Sequence, residues 1–493
     1  MRRFGSVQKS RRGASARGDR LFPRHFLFPR HLAWLVVTVT MTATAIPQET
    51  AIPQETARPG ETARAAEAAV ADTTLEIPAT DEGLPGEGPI RRYDWFRQLW
   101  KQRRGEWANR VGDDRGAVVF LGDSITQGWG DRLATAFAPM KVANRGISGD
   151  TTRGMLIRLG QDVLTLDPAG VVMLMGTNDL EEGASPEQIV GNVGLILRRI
   201  RDDSPEVPIV ICEVFPSSPE KGRPPEAIRE VNRRLAALVA GETGVILLDT
   251  WTLFADESGN ARAEEFPDRL HPNDVGYEKW AGALRPLLEA EGLLPYEPEH
   301  FEPEAGFELL FHGHDLTGWG YRPADEKTLE LRERVLKTWE QPPTWPLVEQ
   351  AVSFDGQVAS DDERYLARGG RLIVRTPREG RRIQTLWTTR EFPEDFTLRL
   401  EFRATPNADS GVFLRAPQLQ CRDFLLAGPY KHLRRYRPGD WNEIEVRVRG
   451  NEAHATCNGE VLEEAMRLPD SGPIGLEGDR GQMEYRRIRL RID

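Results

Sequence analysis

The chain has 493 residues, 39% of them hydrophobic and 29% charged, and a formal net charge of −11. That length exceeds one compact core and points to two or three folded units. The negative balance argues against nucleic acid as a partner, because phosphate binding needs a clustered positive face. The three cysteines, Cys212, Cys421 and Cys457, lack the paired spacing of a zinc site. No metal and no cofactor is expected, and a Cys421–Cys457 bond is left open.

Residues 1–31 are rich in Arg and poor in acid, and the uncharged run LAWLVVTVTMTATA (32–45) ends in Ala43-Thr44-Ala45. A basic region, a short apolar region and a small-x-small site together predict a secretory signal peptide over 1–45, hence export to a periplasmic or extracellular location. The apolar run is short against the roughly 20 residues that span a bilayer, so no stable membrane span is expected once the signal is removed. TAIPQE then occurs at 44–49 and again at 50–55, and Ala, Glu, Thr and Pro dominate to about residue 88. This composition buries too little apolar surface to offset chain entropy and predicts a disordered linker over 46–89.

From 90 to 295, apolar runs of strand length at 117–121, 141–144, 171–175, 207–214 and 245–249 alternate with helical patterns. Near-continuous Val, Ile and Leu marks strands buried on both faces, so the spacing predicts a doubly wound parallel α/β sheet. Ser185-Pro186-Glu187-Gln188 opens a helix to about 201, and another runs over about 272–291.

The chemistry-bearing residues fall in the loops at the strand ends. Val118 to Leu121 stops at Gly122-Asp123-Ser124; Asn144-Arg-Gly-Ile-Ser-Gly149 follows the second strand, Gly176-Thr-Asn178-Asp179 the third, and Asp268-Arg-Leu-His271 precedes the last helix. In open α/β sheets these loops share one rim, where ligands bind. Acyl transfer needs a nucleophile, a base, a group that orients the base, and donors for an oxyanion. Ser124 would attack, His271 would take its proton, and Asp268 would hold the imidazole. The backbone N–H groups of Ser124 and Gly149 and the side-chain amide of Asn178 would form the oxyanion hole. A helix-capping Ser124, a structural His271 and turn roles for Asn178 and Asp179 are the bland alternatives, and they require four coincidences on one rim. Gly-x-Ser-x-Gly is absent from the sequence, which argues against an α/β-hydrolase elbow. Trp129 has equal claims on the pocket and the core.

These four blocks resemble the SGNH (GDSL-like) hydrolase superfamily, and the run NRGISGDTTR (144–153) with Arg158-Leu159 resembles its platelet-activating-factor acetylhydrolase branch. The resemblance implies a flavodoxin-like three-layer fold and a metal-independent serine esterase using the roles above.

After the Pro- and Glu-rich boundary at 292–305 the period changes. Residues 396–402, 411–415, 443–449 and 485–492 alternate apolar and charged side chains, which predicts antiparallel strands and an all-β sandwich over 303–493. LFHGHDLTGW (310–319), NADSGVFLR (407–415), GDWNE (439–443), CNG (457–459) and GPIGLE (472–477) resemble the 3-keto-disaccharide hydrolase domain, which has a concanavalin-like fold. Members of that family carry a Glu-x-Gln-x-x-Asp stretch on the concave face; here it reads Gln418-Leu-Gln-Cys-Arg-Asp423. Gln cannot act as a general acid, so glycan binding is favoured over a second activity, with Gln418, Asp423 and Trp441 as contacts. Trp319 and Tyr430 could stack on sugars, although aromatics in a sandwich are more often core.

The expected function is an exported esterase that deacylates a carbohydrate, its partner a small-molecule or polysaccharide ester. Two alternatives stand beside it: a lipid or thioester acylhydrolase, and a glycan-binding protein whose hydrolase unit is only a scaffold.

Overall fold

Five strands, β1 (Val118–Gly122), β2 (Val142–Gly146), β3 (Gly170–Leu174), β4 (Ile209–Cys212) and β5 (Val245–Leu248), form a sheet of order β2-β1-β3-β4-β5. Every neighbouring pair is parallel. The computed structural model describes residues 75–298, 300–422 and 428–493. The helices used below are α1 (Asp94–Ala108), α2 (Ser124–Gln127), α3 (Thr152–Asp162), α4 (Thr177–Glu181), α5 (Pro186–Asp203), α6 (Pro225–Val239) and α7 (Asp274–Ala290).

Residues of β1 point alternately into two separate cores. Val119 and Leu121 pack with α3, α5 and α6, whereas Val118 and Phe120 pack with α7. Burial on both faces is why the strand reads as an unbroken apolar run, and the three-layer α/β expectation holds. Ser185 caps α5 reciprocally with Gln188, as its sequence predicts. Trp129 belongs to the core: it is 2% exposed and packs against Tyr277, Trp280 and Phe137.

The linker expectation is corrected at its end. Residues 75–89 pack on the α/β layers: Ile77 is buried with Phe96 and Trp100, Arg153 donates to Pro85 O and Gly88 O, and Asn192 pairs with the backbone of Glu87. Average composition hides one buried Ile and a row of backbone acceptors that meet partners from elsewhere in the chain. The expected signal peptide over 1–45 and residues 46–74 of the expected linker lie outside the described residues.

The second half is a sandwich of two antiparallel sheets, with eight and six strands among the described residues, as the alternation predicts. Phe396–Ala404 lies in the larger sheet between Asn442–Arg449 and Met483–Ile492. The smaller sheet includes Gln384–Thr388, Asp409–Leu414, Gln418–Arg422 and Ile474–Gly478. Their inward residues make one core. Trp319 and Tyr430 are fully buried in it rather than free to stack on a sugar. The three cysteines are buried and free, so the Cys421–Cys457 bond is not formed.

The sandwich also meets the chain on either side of β5, one of the two edge strands of the parallel sheet. Gly241 N–H, just before β5, donates to Arg378 O at 2.8 Å, and Asn407 donates to Asp249, just after it, at 2.6 Å. Between the halves, Arg371 and Arg403 both reach Glu289 of α7, at 2.8 and 2.7 Å, and both also pair with Glu484.

Candidate active site

β1 ends at Gly122, and the chain turns sharply into α2. A Cβ on Gly122 would lie 2.6 Å from Leu174 O, so only glycine lets β1 and β3 approach this closely. Asp123, not Ser124, caps α2: its Oδ1 accepts from Ile125 N–H at 2.9 Å. Ser124 is the first residue of the helix, and its hydroxyl is left for other work. Ser124 Oγ lies 3.0 Å from His271 Nε2, and His271 Nδ1 lies 2.8 Å from Asp268 Oδ2.

The Asp268 loop is built for this contact. Arg269 takes a left-handed conformation (φ 63°), and the other carboxylate oxygen of Asp268 accepts from the N–H groups of Leu270 and His271 at 3.0 and 2.7 Å. Partial burial opposes the charge on Asp268, but the backbone and imidazole hydrogen bonds of His271 outweigh it and hold its carboxyl below the usual range. An ionised Asp268 fixes the proton on Nδ1 and leaves Nε2 to accept from Ser124 Oγ–H. Both side chains are a little under half exposed, so the arrangement opens to solvent.

Gly149 and Asn178 come to the same rim. Gly149 adopts φ 88°, and a Cβ there would meet the Trp95 ring at 2.7 Å. That conformation and that crowding both require glycine. Asn178, on α4, is buried; its Nδ2 donates to Asp150 O at 2.9 Å and its Oδ1 accepts from Arg223 Nη2 at 3.3 Å. Asp150 and Arg223 thus fix which way the amide faces, and one N–H of Nδ2 remains for a ligand. The structure therefore joins Ser124, His271 and Asp268 by hydrogen bonds and places Gly149 and Asn178 in the segments that follow β2 and β3.

Behind the rim lies a buried polar layer. Arg158, fully buried, binds Asp150 at 2.8 Å and donates to Gly122 O and Arg145 O, tying the ends of β1 and β2 together. Thr152 N–H and Oγ1 donate to Asp179. Burial pushes the carboxyl of Asp123 up to about 7, against the Ile125 hydrogen bond. The carboxyls of Asp150 and Asp179 rise to about 6 by the same cause, opposed by Arg158 and Thr152 respectively.

Several neighbours carry no motif. Arg223 is 45 residues from Asn178, and nothing in Gly222-Arg-Pro-Pro225 marks it. Tyr93 and Trp95 are stacked (ring centroids 6.4 Å, 11° between planes) yet 53% and 50% exposed. They sit between the two segments that carry Gly149 and Asn178: the Trp95 ring reaches Gly149, and Tyr93 Oη is 3.5 Å from Glu182, just after α4. The aromatic-rich run Tyr93-Asp-Trp95-Phe96 is the only signal they leave in the sequence.

In the sandwich the predicted contacts are not brought together. Gln418 and the half-buried Glu477 are hydrogen-bonded on the outward face of the smaller sheet, and Gln420 donates to Gln418 at 2.7 Å. Burial pushes the Glu477 carboxyl up to about 8. Trp441 lies on the outward face of the other sheet, with Arg486 and Arg403 over its ring at 4.1 and 5.1 Å, lining a cavity of about 420 Å³. Alternation along a strand tells inside from outside but not which sheet a side chain leaves, so the grouping of Trp441 with Gln418 is corrected. Asp423 lies outside the described residues. Among the described residues no cluster of three or more His, Cys, Asp or Glu is placed to hold a metal, and no helix is long and apolar enough to cross a membrane.

A parallel sheet with a serine, an imidazole and a carboxylate in sequence on its carboxyl rim defines a hydrolase of the acyl-transfer class. Residues 120–279 match the GDSL-like lipase/acylhydrolase family and residues 306–491 a 3-keto-alpha-glucoside-1,2-lyase-like domain. The chain is 32% identical over 183 residues to the platelet-activating factor acetylhydrolase IB subunit alpha1 of Bos taurus, covering 36% of this chain and 76% of that protein. With subunit alpha2 of Homo sapiens it shares 29% over 196 residues, covering 38% and 83%. A GDSL-like lipase structure from Bacteroides thetaiotaomicron aligns at 24% identity and TM-score 0.35, over 38% of this chain and 97% of that one. The chain belongs to the GDSL-like lipase/acylhydrolase family. It is a hydrolase of small-molecule esters joined to a 3-keto-disaccharide hydrolase-like domain.

Proposed function

We propose that the protein is an exported serine esterase that removes acetyl or another short acyl group from a carbohydrate. The observation that carries the reaction is the continuous chain from Ser124 Oγ through the His271 ring to Asp268, at 3.0 and 2.8 Å. Ser124 Oγ attacks the ester carbonyl while His271 Nε2 takes its proton. The oxyanion is held by the N–H groups of Ser124 and Gly149 and by Asn178 Nδ2. Collapse of the tetrahedral intermediate breaks the bond to the sugar oxygen, which takes the proton back from His271 and leaves the acyl group on Ser124. Water, deprotonated by His271, then attacks the acyl-enzyme, and a second collapse frees the acid and restores Ser124.

A short acyl group is supported by the packing beside Ser124: Trp129, Phe137, Tyr277 and Trp280 belong to one core there, and Tyr277 Oη donates to Ile125 O at 2.8 Å. The similar proteins carry acetylhydrolase in their names. A carbohydrate is supported by the sandwich and, independently, by the exposed Tyr93–Trp95 pair at the rim, since aromatic faces stack on sugar rings. Export is supported by the arrangement of residues 1–45.

Acetate release from acetylated sugars, set against p-nitrophenyl esters of increasing acyl length and a phospholipid ester, tests this reading. Fastest turnover on acetyl esters, with acetylated sugars among the substrates, is expected. Preference for long acyl chains or for the phospholipid would favour the lipid acylhydrolase.

A further inference from the structure

Two of the three expected oxyanion donors sit on segments that hold no shape by themselves. Gly149 belongs to a turn and is left-handed there, and Asn178 lies on α4, a helix of only five residues, far short of the length at which a helix persists alone. Other parts of the chain must set where each one lies. On the side of Ser124 the turn is held by Ile147 N–H, which donates to Gly122 O at 3.2 Å, and by Ser148 N–H, which donates to Gln127 Oε1 at 2.7 Å. Arg223 holds the start of α4: its Nε donates to Thr177 O at 3.0 Å and its Nη2 to Asn178 Oδ1 at 3.3 Å.

One further side chain reaches both segments. Arg91 is 8% exposed and precedes residues 120–279, the stretch that matches the hydrolase family. Its Nε donates to Glu182 at 2.7 Å, and its Nη2 donates to Glu181, on the same carboxylate oxygen that accepts from Arg223 Nη2 at 2.8 Å. Its Nη1 lies against the turn, where a Cβ on Gly149 would stand 3.0 Å from it. The two glutamates close the carboxyl end of α4, where the helix dipole disfavours negative charge and the carboxylates repel each other. Arg91 bridges them. Partial burial opposes the charge on Glu181, but the hydrogen bonds from Arg223 and Arg91 outweigh it and hold its carboxyl below the usual range. The backbone that carries Arg91 is fixed to the turn as well, because Pro89 O accepts from Thr151 Oγ1 at 2.8 Å.

We propose that Arg91 is a positioning residue of the ester-hydrolysing site, a strut whose planar guanidinium sets the spacing between the Gly149 turn and α4. The inference rests on the reading of Gly149 and Asn178 as oxyanion donors. Such donors act only when they stand about 2.7–3.1 Å from the place where charge develops, and a misplacement of about 1 Å can cost a hundredfold in rate. Arg91 works through the donors, so its loss falls on kcat and spares KM.

Hydrolysis of p-nitrophenyl acetate by wild type, Arg91→Met, Asn178→Ala and the double variant, each at equal folded concentration, tests it. Arg91→Met should lower kcat at least about tenfold with KM changed less than about twofold. In the Asn178→Ala background the same substitution should cost at least about threefold less, because two residues that serve one oxyanion hole are coupled. A wild-type kcat in Arg91→Met, a change confined to KM, or an undiminished effect in the Asn178→Ala background would overturn the proposal. Should Arg91→Met not fold, Arg91→Lys decides: it keeps the charge, but a single nitrogen cannot span Glu181, Glu182 and the turn. The same loss of kcat upholds the strut, and a wild-type kcat refutes it. Ser124→Ala separates the two levels of the argument. An inactive wild type, or Ser124→Ala as fast as wild type, removes the ester-hydrolysing reading and Arg91's part with it; a slow Ser124→Ala beside an unimpaired Arg91→Met removes Arg91 alone.

Discussion

Asp123 shows how one residue shapes the site without reacting. By capping α2 it frees the Ser124 hydroxyl for His271, and it does so with a carboxyl whose Oδ2 is buried without a partner. Burial raises its folded pKa to about 7, above the ordinary 3.8. Between those values the folded state holds a proton that the unfolded state has lost, so stability falls as pH rises from about 4 to 7 and is level above. Asp123→Asn keeps the acceptor for Ile125 N–H and removes the titration. Its urea midpoint should fall less between pH 5 and pH 7.5 than that of wild type. Asn178→Ala should lower kcat by about 10²–10³ with little change in KM, the mark of a donor used mainly in the transition state. At this scale the sequence was readable wherever chemistry is local. Asp268 and His271 are three residues apart, and Gly122-Asp123-Ser124 is contiguous. Arg223 was not readable, because what it does depends on a chain crossing that no neighbouring residue announces.

At the scale of elements, strands buried on both faces and a capped α5 were evident from pattern alone. Ser185→Ala should cost about 1 kcal/mol, measured as a loss of unfolding free energy, with esterase rates unchanged. The start of α1 was not evident. Residues 75–89 looked like spacer, and the exposure of Tyr93 and Trp95 became visible only once Phe96 and Trp100 were seen to face the core. If that aromatic pair receives the sugar, Trp95→Ala should raise KM for acetylated sugars several-fold and leave p-nitrophenyl acetate hydrolysis near the wild-type rate. Equal effects on both substrates would remove the pair from sugar recognition.

For the whole molecule, the two architectures were legible from a change of hydrophobic period, but their joint was not, because ion pairs between distant segments leave no pattern. Glu289, 7% exposed, receives both Arg371 and Arg403. Removing it leaves the two arginines to share Glu484 alone, and breaking a buried ionic group costs up to about 3–5 kcal/mol. Glu289→Ala should therefore lower the thermal midpoint and separate the unfolding of the two halves in calorimetry, while a single unshifted transition would show that the joint contributes nothing. What the joint serves depends on the reaction at the rim. The most direct test of that reaction is p-nitrophenyl acetate hydrolysis by wild type and Ser124→Ala at equal folded concentration. The geometry of Ser124, His271 and Asp268 predicts an active wild type and a variant slower by at least about a hundredfold. An inactive wild type, or a variant of comparable rate, would contradict it.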